Sequence, residues 1–331
     1  MNYRKLGKSD IRVSEIGFGA WTIGLDWWGK KIDDEEAIRM LKKAYDLGIN
    51  FYDTADIYGK GKSEKLIGAA FKGNRNHVIY STKWGYDIYN SEQIGHSELP
   101  QRHDKSFLNY ALEKSLERLQ TNYVDIYNLH NPKMAAIQDS ELFSTLENLV
   151  TCGKFRTYGV ALGPAIGWEA EGLYSIKERN ISCLQTVYNI LEQDPGNVFL
   201  RQGEKHNVGI LARVPDASGV LTGKVNEDTL FGKDDHRNSR KKEWIIEALK
   251  KVERLKSIAM EKGWGITELA MKFILSQKRI SVLLPTMTSI EEIEMFASFS
   301  DSNYLSNDDL KLVSDLYSSN FYVNPSRSIQ L

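Results

Sequence analysis

The sequence predicts an α/β fold: a (β/α)8 TIM barrel with an N-terminal β-hairpin and extra C-terminal helices. Three observations support this fold class. Strand-like and helix-like segments alternate along the chain, eight strand candidates follow the hairpin, and no shift in composition marks a second domain. The chain has 331 residues, more than the roughly 250 of a plain barrel. We therefore expect a single domain over residues 1–331, with the surplus in the hairpin, two long loops and the last helices.

The first elements follow from local patterns. Two short runs flank a polar turn at 7–10, which predicts a hairpin over residues 3–14. An apolar run that ends in glycine predicts a strand at 15–19. The segment 33–48 has acidic residues first, lysines later and a closing glycine, and its apolar residues fall on one helical face. It therefore predicts the first helix of the barrel.

The remaining segments continue the alternation. Short apolar runs predict strands at 49–53, 77–83, 123–130, 155–162, 181–189, 208–213 and 280–285. Amphipathic runs predict helices at 63–73, 106–120, 140–153, near 166–179, and at 197–207, 243–262, 267–277, 289–298 and 307–319. A long polar stretch with glycines, 214–242, interrupts the pattern. Because such a barrel places its active site at the carboxyl ends of its strands, the polar residues that follow each strand are the candidates.

Composition excludes several classes of protein. Lys and Arg total 43 and Asp and Glu total 44, so the net charge of −1 favours neither nucleic acid nor a membrane surface as a partner. The two cysteines, Cys152 and Cys183, are too few for a disulfide framework and suit reduced thiols. No apolar run reaches the roughly 20 residues of a spanning helix, and the first residues lack the apolar core of a signal peptide. We expect a soluble cytoplasmic protein whose oligomeric state stays open.

Four polar residues lie at or just after the predicted ends of three successive strands. Asp53 ends the second strand, Tyr58 follows five residues later, Lys83 ends the third strand and His130 ends the fourth. Each alone has an ordinary structural interpretation, such as a turn aspartate or a solvated lysine. Adjacent strands lie about 4.8 Å apart, so a parallel barrel brings the four side chains close together. Together they predict an active site.

The sequence resembles the aldo/keto reductase family over essentially the whole chain. The resemblance rests first on FYDTADIYGKGKSEKLIG (51–68), STKWG (81–85) and DIYNLHNP (125–132). Further matches are GFGAW (17–21), QTVYN (185–189), VPDASGVLTGK (214–224) and LPTMTSIEEIE (284–294). The resemblance implies a (β/α)8 barrel and reduction of a carbonyl by NAD(P)H. The implied substrate is a small aldehyde, ketone or sugar-derived carbonyl.

The resemblance also implies a catalytic role for each of the four residues. Hydride transfer to a carbonyl carbon leaves negative charge on the oxygen, and Tyr58 is the implied proton donor to it. The Lys83 ammonium favours the phenolate that this donation leaves, and Asp53 holds Lys83 in place. His130 orients and polarises the carbonyl. No metal is implied, since His96 and His103 show no metal-ligand spacing.

The implied cofactor site lies across the top of the barrel and departs from the family pattern. Ala161 and Leu162 stand where many members have Ser-Asn, and Arg213 stands where an aromatic residue often stacks on the nicotinamide. Arg213 either stacks on the ring itself or forms an ion pair, for instance with Asp216. The implied cofactor positions are Ala20, Trp21, Asp53, Ala161, Leu162, Gln185, Arg213, Val214, Pro215, Asp216, Lys224, Thr286, Thr288 and Glu292.

The choice between NADP and NAD depends on the segment after the last strand. A helix that starts near Ser289 offers its N-terminal amides to a phosphate, but Glu291 and Glu292 lie in its first turn. These two residues either complement the helix dipole or repel a 2′-phosphate. Lys224, with Arg237 or Arg240, either contacts a phosphate or is solvated. NADP, the family default, is therefore expected, and NAD remains open.

Aromatic residues mark the expected substrate pocket. Trp21, Trp27 and Trp28 lie after the first strand, and Trp84 and Tyr86 lie at the end of the third. They either line a pocket for an apolar or sugar-like substrate or pack beneath long loops. A second function class also stays open, because the family includes channel-associated β subunits that bind partners and sense redox state. The complete set of four catalytic residues favours an enzyme.

Overall fold

The structure is a computed structural model that describes residues 1–92, 98–164 and 167–323. The chain begins with an antiparallel hairpin of β1 (Tyr3–Lys5) and β2 (Arg12–Ser14), in which Tyr3 pairs with Ser14. This hairpin is the one that the sequence predicts.

Eight parallel strands follow, and each pairs with the next along the chain. They are β3 (Phe18–Gly19), β4 (Phe51–Asp53), β5 (Ile79–Trp84), β6 (Val124–His130), β7 (Phe155–Ala161), β8 (Cys183–Val187), β9 (Gly209–Arg213) and β10 (Ile280–Leu284). The Gly17 amide donates to the Leu283 carbonyl at 2.9 Å, and the Leu283 amide donates to the Glu15 carbonyl at 2.7 Å. These bonds join the last strand to the first and close the sheet, which confirms the predicted barrel.

Helices connect the strands. They are α1 (Trp21–Gly24), α2 (Asp34–Asp46), α3 (Lys62–Ala70), α4 (Lys105–Leu119), α5 (Met134–Gln138), α6 (Ser140–Thr151), α7 (Glu169–Glu178), α8 (Gly196–His206), α9 (Lys242–Lys262), α10 (Ile266–Leu275), α11 (Ile290–Ser298) and α12 (Asn307–Ser318). The short helices α1 and α5 have too few residues to show a periodic pattern, and the sequence does not predict them. The predicted start of α7 near residue 166 lies outside the described residues.

The polarity of the barrel interior changes along the strand direction. Side chains two residues apart on a strand face the same side. Phe51 belongs to the buried apolar cluster at the base of the barrel, which the hairpin closes, and Asp53 follows it two residues later. Ile126 and His130 show the same sequence of apolar then polar side chains on β6. The strand period therefore delivers polar side chains to the carboxyl end of the barrel.

Candidate active site

A buried ion pair forms the floor of the site. Lys83 Nζ lies 2.6 Å from Asp53 Oδ2 and also donates to the Thr54 carbonyl at 2.7 Å. Ser81 Oγ donates to the other Asp53 oxygen at 3.0 Å. Burial alone lowers the pKa of Lys83, but Asp53 and Tyr58 outweigh it, so the net pKa lies above the usual value. Lys83 is therefore a fixed ammonium at the centre of the barrel.

The loop after β4 places Tyr58 above this pair. The Thr54 amide donates to the Ser81 carbonyl at 2.8 Å, and the Asp56 amide donates to the Lys83 carbonyl at 3.1 Å, so the loop is anchored along β5. Lys83 Nζ lies 5.1 Å from the centroid of the Tyr58 ring. Tyr58 itself is half-buried. Its ring thus borders both the ammonium and the open space above the barrel.

His130 completes the group. Its ring lies edge-on to the Tyr58 ring, with 6.0 Å between the centroids. Burial lowers the pKa of His130 well below its usual value, and the nearby Lys83 and Arg213 lower it further. His130 is therefore neutral at physiological pH. The structure brings together all four residues that the sequence predicts as catalytic.

The four residues border a cavity of about 440 Å³. We call it the active-site cavity. Of the residues predicted to contact substrate, Trp21, Trp27, Trp28 and Tyr86 line it. The Tyr86 hydroxyl donates to Glu98 Oε1 at 3.0 Å and accepts from Asn131 Nδ2 at 2.8 Å. This rim is therefore polar, whereas the tryptophan side is apolar.

Trp84 does not line the cavity, which corrects the predicted substrate contact. It is the last residue of β5 and is fully buried. Its ring stacks on Tyr127 at 6.1 Å between centroids and contacts His103 edge-on at 5.4 Å. Since Lys83 faces the barrel interior, its neighbour must face the surrounding helices. Trp84 therefore packs in the layer between the sheet and the helices.

Several residues of the cavity wall are not among those predicted from the sequence. His236, from the long polar stretch, stacks on Trp28 at 4.7 Å between centroids and meets Trp21 edge-on at 5.3 Å. Lys133 lies over the Trp168 ring at 4.6 Å, and both line the cavity. Lys133 and Trp168 follow β6 and β7, so the rule that strand-end loops carry the site points to them. No local pattern in the sequence shows that His236 folds back onto the first loop.

Arg213 reaches across the top of the barrel. Its guanidinium Nη2 donates to the carbonyl of Leu162 at 2.6 Å and to that of Gly163. Among the described residues it forms no ion pair with Asp216, the example given for one of the two alternatives that the sequence leaves open. The buried Nε of Arg213 has no hydrogen-bond partner among the described residues. Burial lowers the pKa of Arg213, but a guanidinium in a protein remains a cation at neutral pH.

A second cavity of about 510 Å³ adjoins the first, and Trp28, Asp216 and Thr286 line both. We call it the loop cavity, because the stretch 214–242 forms much of its wall. Of the predicted cofactor positions, Lys224, Thr288 and Glu292 also line it. Trp21, Asp53, Gln185, Arg213 and Val214 line the active-site cavity.

The other predicted cofactor positions do not line either cavity. They are Ala20, Ala161, Leu162 and Pro215, and all four are buried. Ala161 pairs with Gln185 in the sheet, and Leu162 contributes the carbonyl that holds Arg213. Their side chains are small or apolar and lie within the core, so they offer packing rather than polar contacts.

Within residues 1–92, 98–164 and 167–323, no group of three or more His, Cys, Asp and Glu side chains is placed to hold a metal ion. His96 lies outside the described residues. Over the same ranges, none of the helices has the length and apolar character needed to cross a membrane.

Comparison with known proteins decides the family. A model of the aldo/keto reductase family matches residues 15–318, which include all four catalytic candidates. The chain belongs to the aldo/keto reductase family. Membership supports an oxidoreductase that uses a nicotinamide cofactor.

Individual proteins of known sequence or structure align with most of the chain. YhdN of Bacillus subtilis (strain 168) is 30% identical over 291 residues, which cover 86% of this chain and 84% of that protein. A probable voltage-gated potassium channel subunit beta of Oryza sativa subsp. japonica is 28% identical over 315 residues, 88% of this chain and 89% of that protein. The holo form of aldo-keto reductase AKR11C1 from Bacillus halodurans superposes with a TM-score of 0.78 at 26% identity, covering 100% of this chain and 99% of that one.

The cavities contain groups that suit the nicotinamide cofactor of aldo/keto reductases. Gln185 is buried, and its Nε2 lacks a hydrogen-bond partner among the described residues, as expected of a donor reserved for a ligand amide. The loop after β9 connects the two cavities, since Val214 lines the active-site cavity and Asp216 lines both. Both features fit a dinucleotide that runs from the active-site cavity into the loop cavity.

Proposed function

We propose that the protein is an NAD(P)H-dependent carbonyl reductase that acts on a small aldehyde, ketone or sugar-derived carbonyl. The observation that carries the proposal is the position of Tyr58, between the Lys83 ammonium and the His130 ring at the floor of a cavity. The bound cofactor supplies a hydride to the carbonyl carbon. The residues of this chain supply the proton and the electrostatic environment.

Tyr58 is the proton donor. As charge grows on the carbonyl oxygen, the Tyr58 hydroxyl donates its proton to that oxygen. The Lys83 ammonium, 5.1 Å from the ring centroid, stabilises the phenolate that remains. Asp53 binds Lys83 Nζ at 2.6 Å and so keeps the ammonium in place. In the reverse direction the phenolate accepts the proton of an alcohol.

His130 polarises the carbonyl as a neutral ring. Its pKa lies well below its usual value because of burial and the nearby cations, so it does not compete with Tyr58 as an acid. A neutral imidazole N–H still donates a hydrogen bond to the carbonyl oxygen. This bond favours the developing charge and orients the substrate between Tyr58 and the cofactor.

The cavity walls support the substrate class. Trp21, Trp27 and Trp28 form an apolar side, and Tyr86 and Asn131 form a hydrogen-bonding side. A volume of about 440 Å³ holds a small substrate together with the reactive end of a cofactor. The mixture of apolar and polar walls suits a hydroxylated or aromatic carbonyl compound.

Two measurements on the purified protein test this proposal. NADH and NADPH should each be titrated against tryptophan fluorescence, and reduced-cofactor consumption should be followed with a panel of aldehydes, ketones and sugars. We expect saturable quenching by at least one cofactor and turnover with at least one carbonyl. If neither cofactor binds, the enzyme proposal fails.

A second candidate function is cofactor sensing in a protein that binds a partner. Two observations favour it: the similarity to a probable potassium channel subunit beta and the unusual Arg213 beside the catalytic group. Cofactor binding without turnover of any carbonyl in the panel supports this candidate over the reductase. For either function we propose a cytoplasmic protein with no nucleic-acid or membrane partner and leave its oligomeric state open.

A further inference from the structure

The cations of the loop cavity are already paired. Among the described residues, Lys224 and Arg237 are the two cationic side chains that line it. Lys224 Nζ lies 3.0 Å from Glu292 Oε1, and Arg237 Nε lies 2.9 Å from Asp235 Oδ1. At the rim, Lys30 donates to the Thr288 carbonyl at 2.6 Å. A phosphate that enters this cavity therefore meets cations whose nearest partners are protein oxygens.

Glu292 is held rigidly in the wall. Its Oε2 accepts from the Thr288 amide at 2.8 Å and from the Thr288 hydroxyl at 2.9 Å, while its Oε1 binds Lys224. The carboxylate thus occupies the donors at the start of α11 that would otherwise bind an anion. Both oxygens are fixed, and the side chain is still partly exposed to the cavity.

Asp216 adds a second carboxyl group. It is buried where the two cavities meet, and its Oδ1 has no hydrogen-bond partner among the described residues. The carboxylates that line the loop cavity are Asp216, Asp235 and Glu292, against the two cations Lys224 and Arg237. The net negative charge of these lining side chains therefore disfavours the binding of a further dianionic group, such as a phosphate.

We propose that the protein uses NAD(H) in preference to NADP(H) and that Glu292 determines this preference. The inference rests on the proposed function and specifies its cofactor. A ribose 2′-hydroxyl donates a hydrogen bond to a carboxylate, as acidic residues accept from it in other NAD-binding folds. A 2′-phosphate in the same place faces Glu292 and must separate Lys224 from its partner. One unfavourable contact of about 1.4 kcal/mol changes affinity ten-fold.

The first test measures the two dissociation constants by quenching of tryptophan fluorescence. We expect NADH to bind at least ten-fold more tightly than NADPH. Equal affinities, or tighter binding of NADPH, overturn the proposal. If neither cofactor binds, the proposed reductase function fails as well, so the two failures are distinguishable.

The second test assigns the preference to Glu292. In Glu292→Gln, the ratio of the NADPH to the NADH dissociation constant should fall at least five-fold, because the charge is lost and Lys224 is released. The matched control is Glu294→Gln on the same helix, since Glu294 also pairs with a lysine, Lys43 at 2.6 Å, outside the loop cavity. It should leave the ratio unchanged. An unchanged ratio in Glu292→Gln, or an equal change in Glu294→Gln, overturns the assignment.

Discussion

The two cavities at the top of this barrel are built in different ways. The active-site cavity has its catalytic group on strand ends, where Asp53 and Lys83 are buried and bonded to each other. The loop cavity is walled by the stretch 214–242 and by the start of α11, and its charged side chains range from buried, as at Asp216, to exposed, as at Lys224. The four catalytic candidates of the first match the family pattern, whereas the cofactor positions of the second depart from it.

This difference separates the residues that carry out the reaction from those that recognise the cofactor. Proton transfer to a carbonyl oxygen needs fixed distances among a few groups, and strand ends supply them. Recognition of the far end of a dinucleotide needs only complementary charge and shape, and loops change these without disturbing the barrel. We therefore expect variants at the strand ends to abolish activity or stability, and variants in the loop cavity to change affinity and its dependence on pH.

The largest effect is expected for Tyr58→Phe. Loss of the proton donor should lower kcat/KM for carbonyl reduction by about 10²- to 10⁴-fold. The Tyr58 side chain is half-buried and the ring is retained, so cofactor affinity and the melting temperature should change little. Steady-state kinetics and fluorescence titration of the same preparation check this. Activity near that of the wild type would remove Tyr58 from the role of proton donor.

Of the variants proposed here, Asp53→Asn should lower the free energy of unfolding the most. It leaves the buried Lys83 ammonium without its carboxylate at 2.6 Å. Breaking one side of a buried pair typically destabilises a protein by about 3–5 kcal/mol. Urea denaturation measures the free energy of unfolding. The double variant Asp53→Asn/Lys83→Met should recover part of the loss, because it removes the uncompensated charge. A double variant as unstable as the sum of the two single variants would contradict this account.

The sequence predicts the strand-end region better than the loop region, and the reason is physical. The period-two alternation on β5 is a local property, so the position of Lys83 follows from the strand alone. The same alternation also places Trp84 against the helices. The prediction that Trp84 contacts substrate ignores which side of the strand its side chain faces. The position of His236 depends on a contact with Trp28 across more than two hundred residues, and the partner of Arg213 lies 51 residues away in the sequence. No local pattern encodes such contacts.

Asp216→Asn should stabilise the protein at neutral pH. Burial raises the pKa of Asp216 from 3.8 to about 6, with Glu292 adding to the shift and Arg237 opposing it. The native state therefore binds its proton more tightly than the unfolded state, and stability falls as the pH rises from 4 to 6. A difference of about two pKa units between the native and the unfolded state corresponds to about 3 kcal/mol in the free energy of unfolding. The variant should gain up to about this amount above pH 6 and nothing below pH 4.

Thermal or urea unfolding of both proteins at pH 4 and pH 7.5 measures that difference. An equal gain at both pH values would mean that ionisation of Asp216 is not the cause. Because a cofactor phosphate near this carboxyl favours its protonated form, wild-type affinity for NADH should weaken as the pH rises through 6. The same titration with Asp216→Asn should give a flatter profile.

The smallest effect is expected for Arg213→Gln, which tests the point where the two regions meet. Arg213 lines the active-site cavity beside Gln185 and holds the carbonyls of Leu162 and Gly163. Its charge opposes the cationic oxidised nicotinamide but not the neutral reduced ring. Two charges about 4 Å apart in water interact by about 1 kcal/mol, which is roughly five-fold in affinity. Glutamine keeps a hydrogen-bond donor and removes the charge. The affinity for the oxidised cofactor should therefore rise about five-fold relative to the affinity for the reduced cofactor.

Fluorescence titration with both redox forms measures this ratio. Arg240→Gln is the matched control, because Arg240 lies in the nearby stretch 214–242, donates to Ser218 Oγ at 3.1 Å and lines neither cavity. If Arg213→Gln lowers stability and leaves the ratio unchanged, Arg213 serves only to tie β9 to the end of β7. A changed ratio would instead place a residue that departs from the family pattern within the catalytic region, where the charge of the barrel top favours the reduced cofactor.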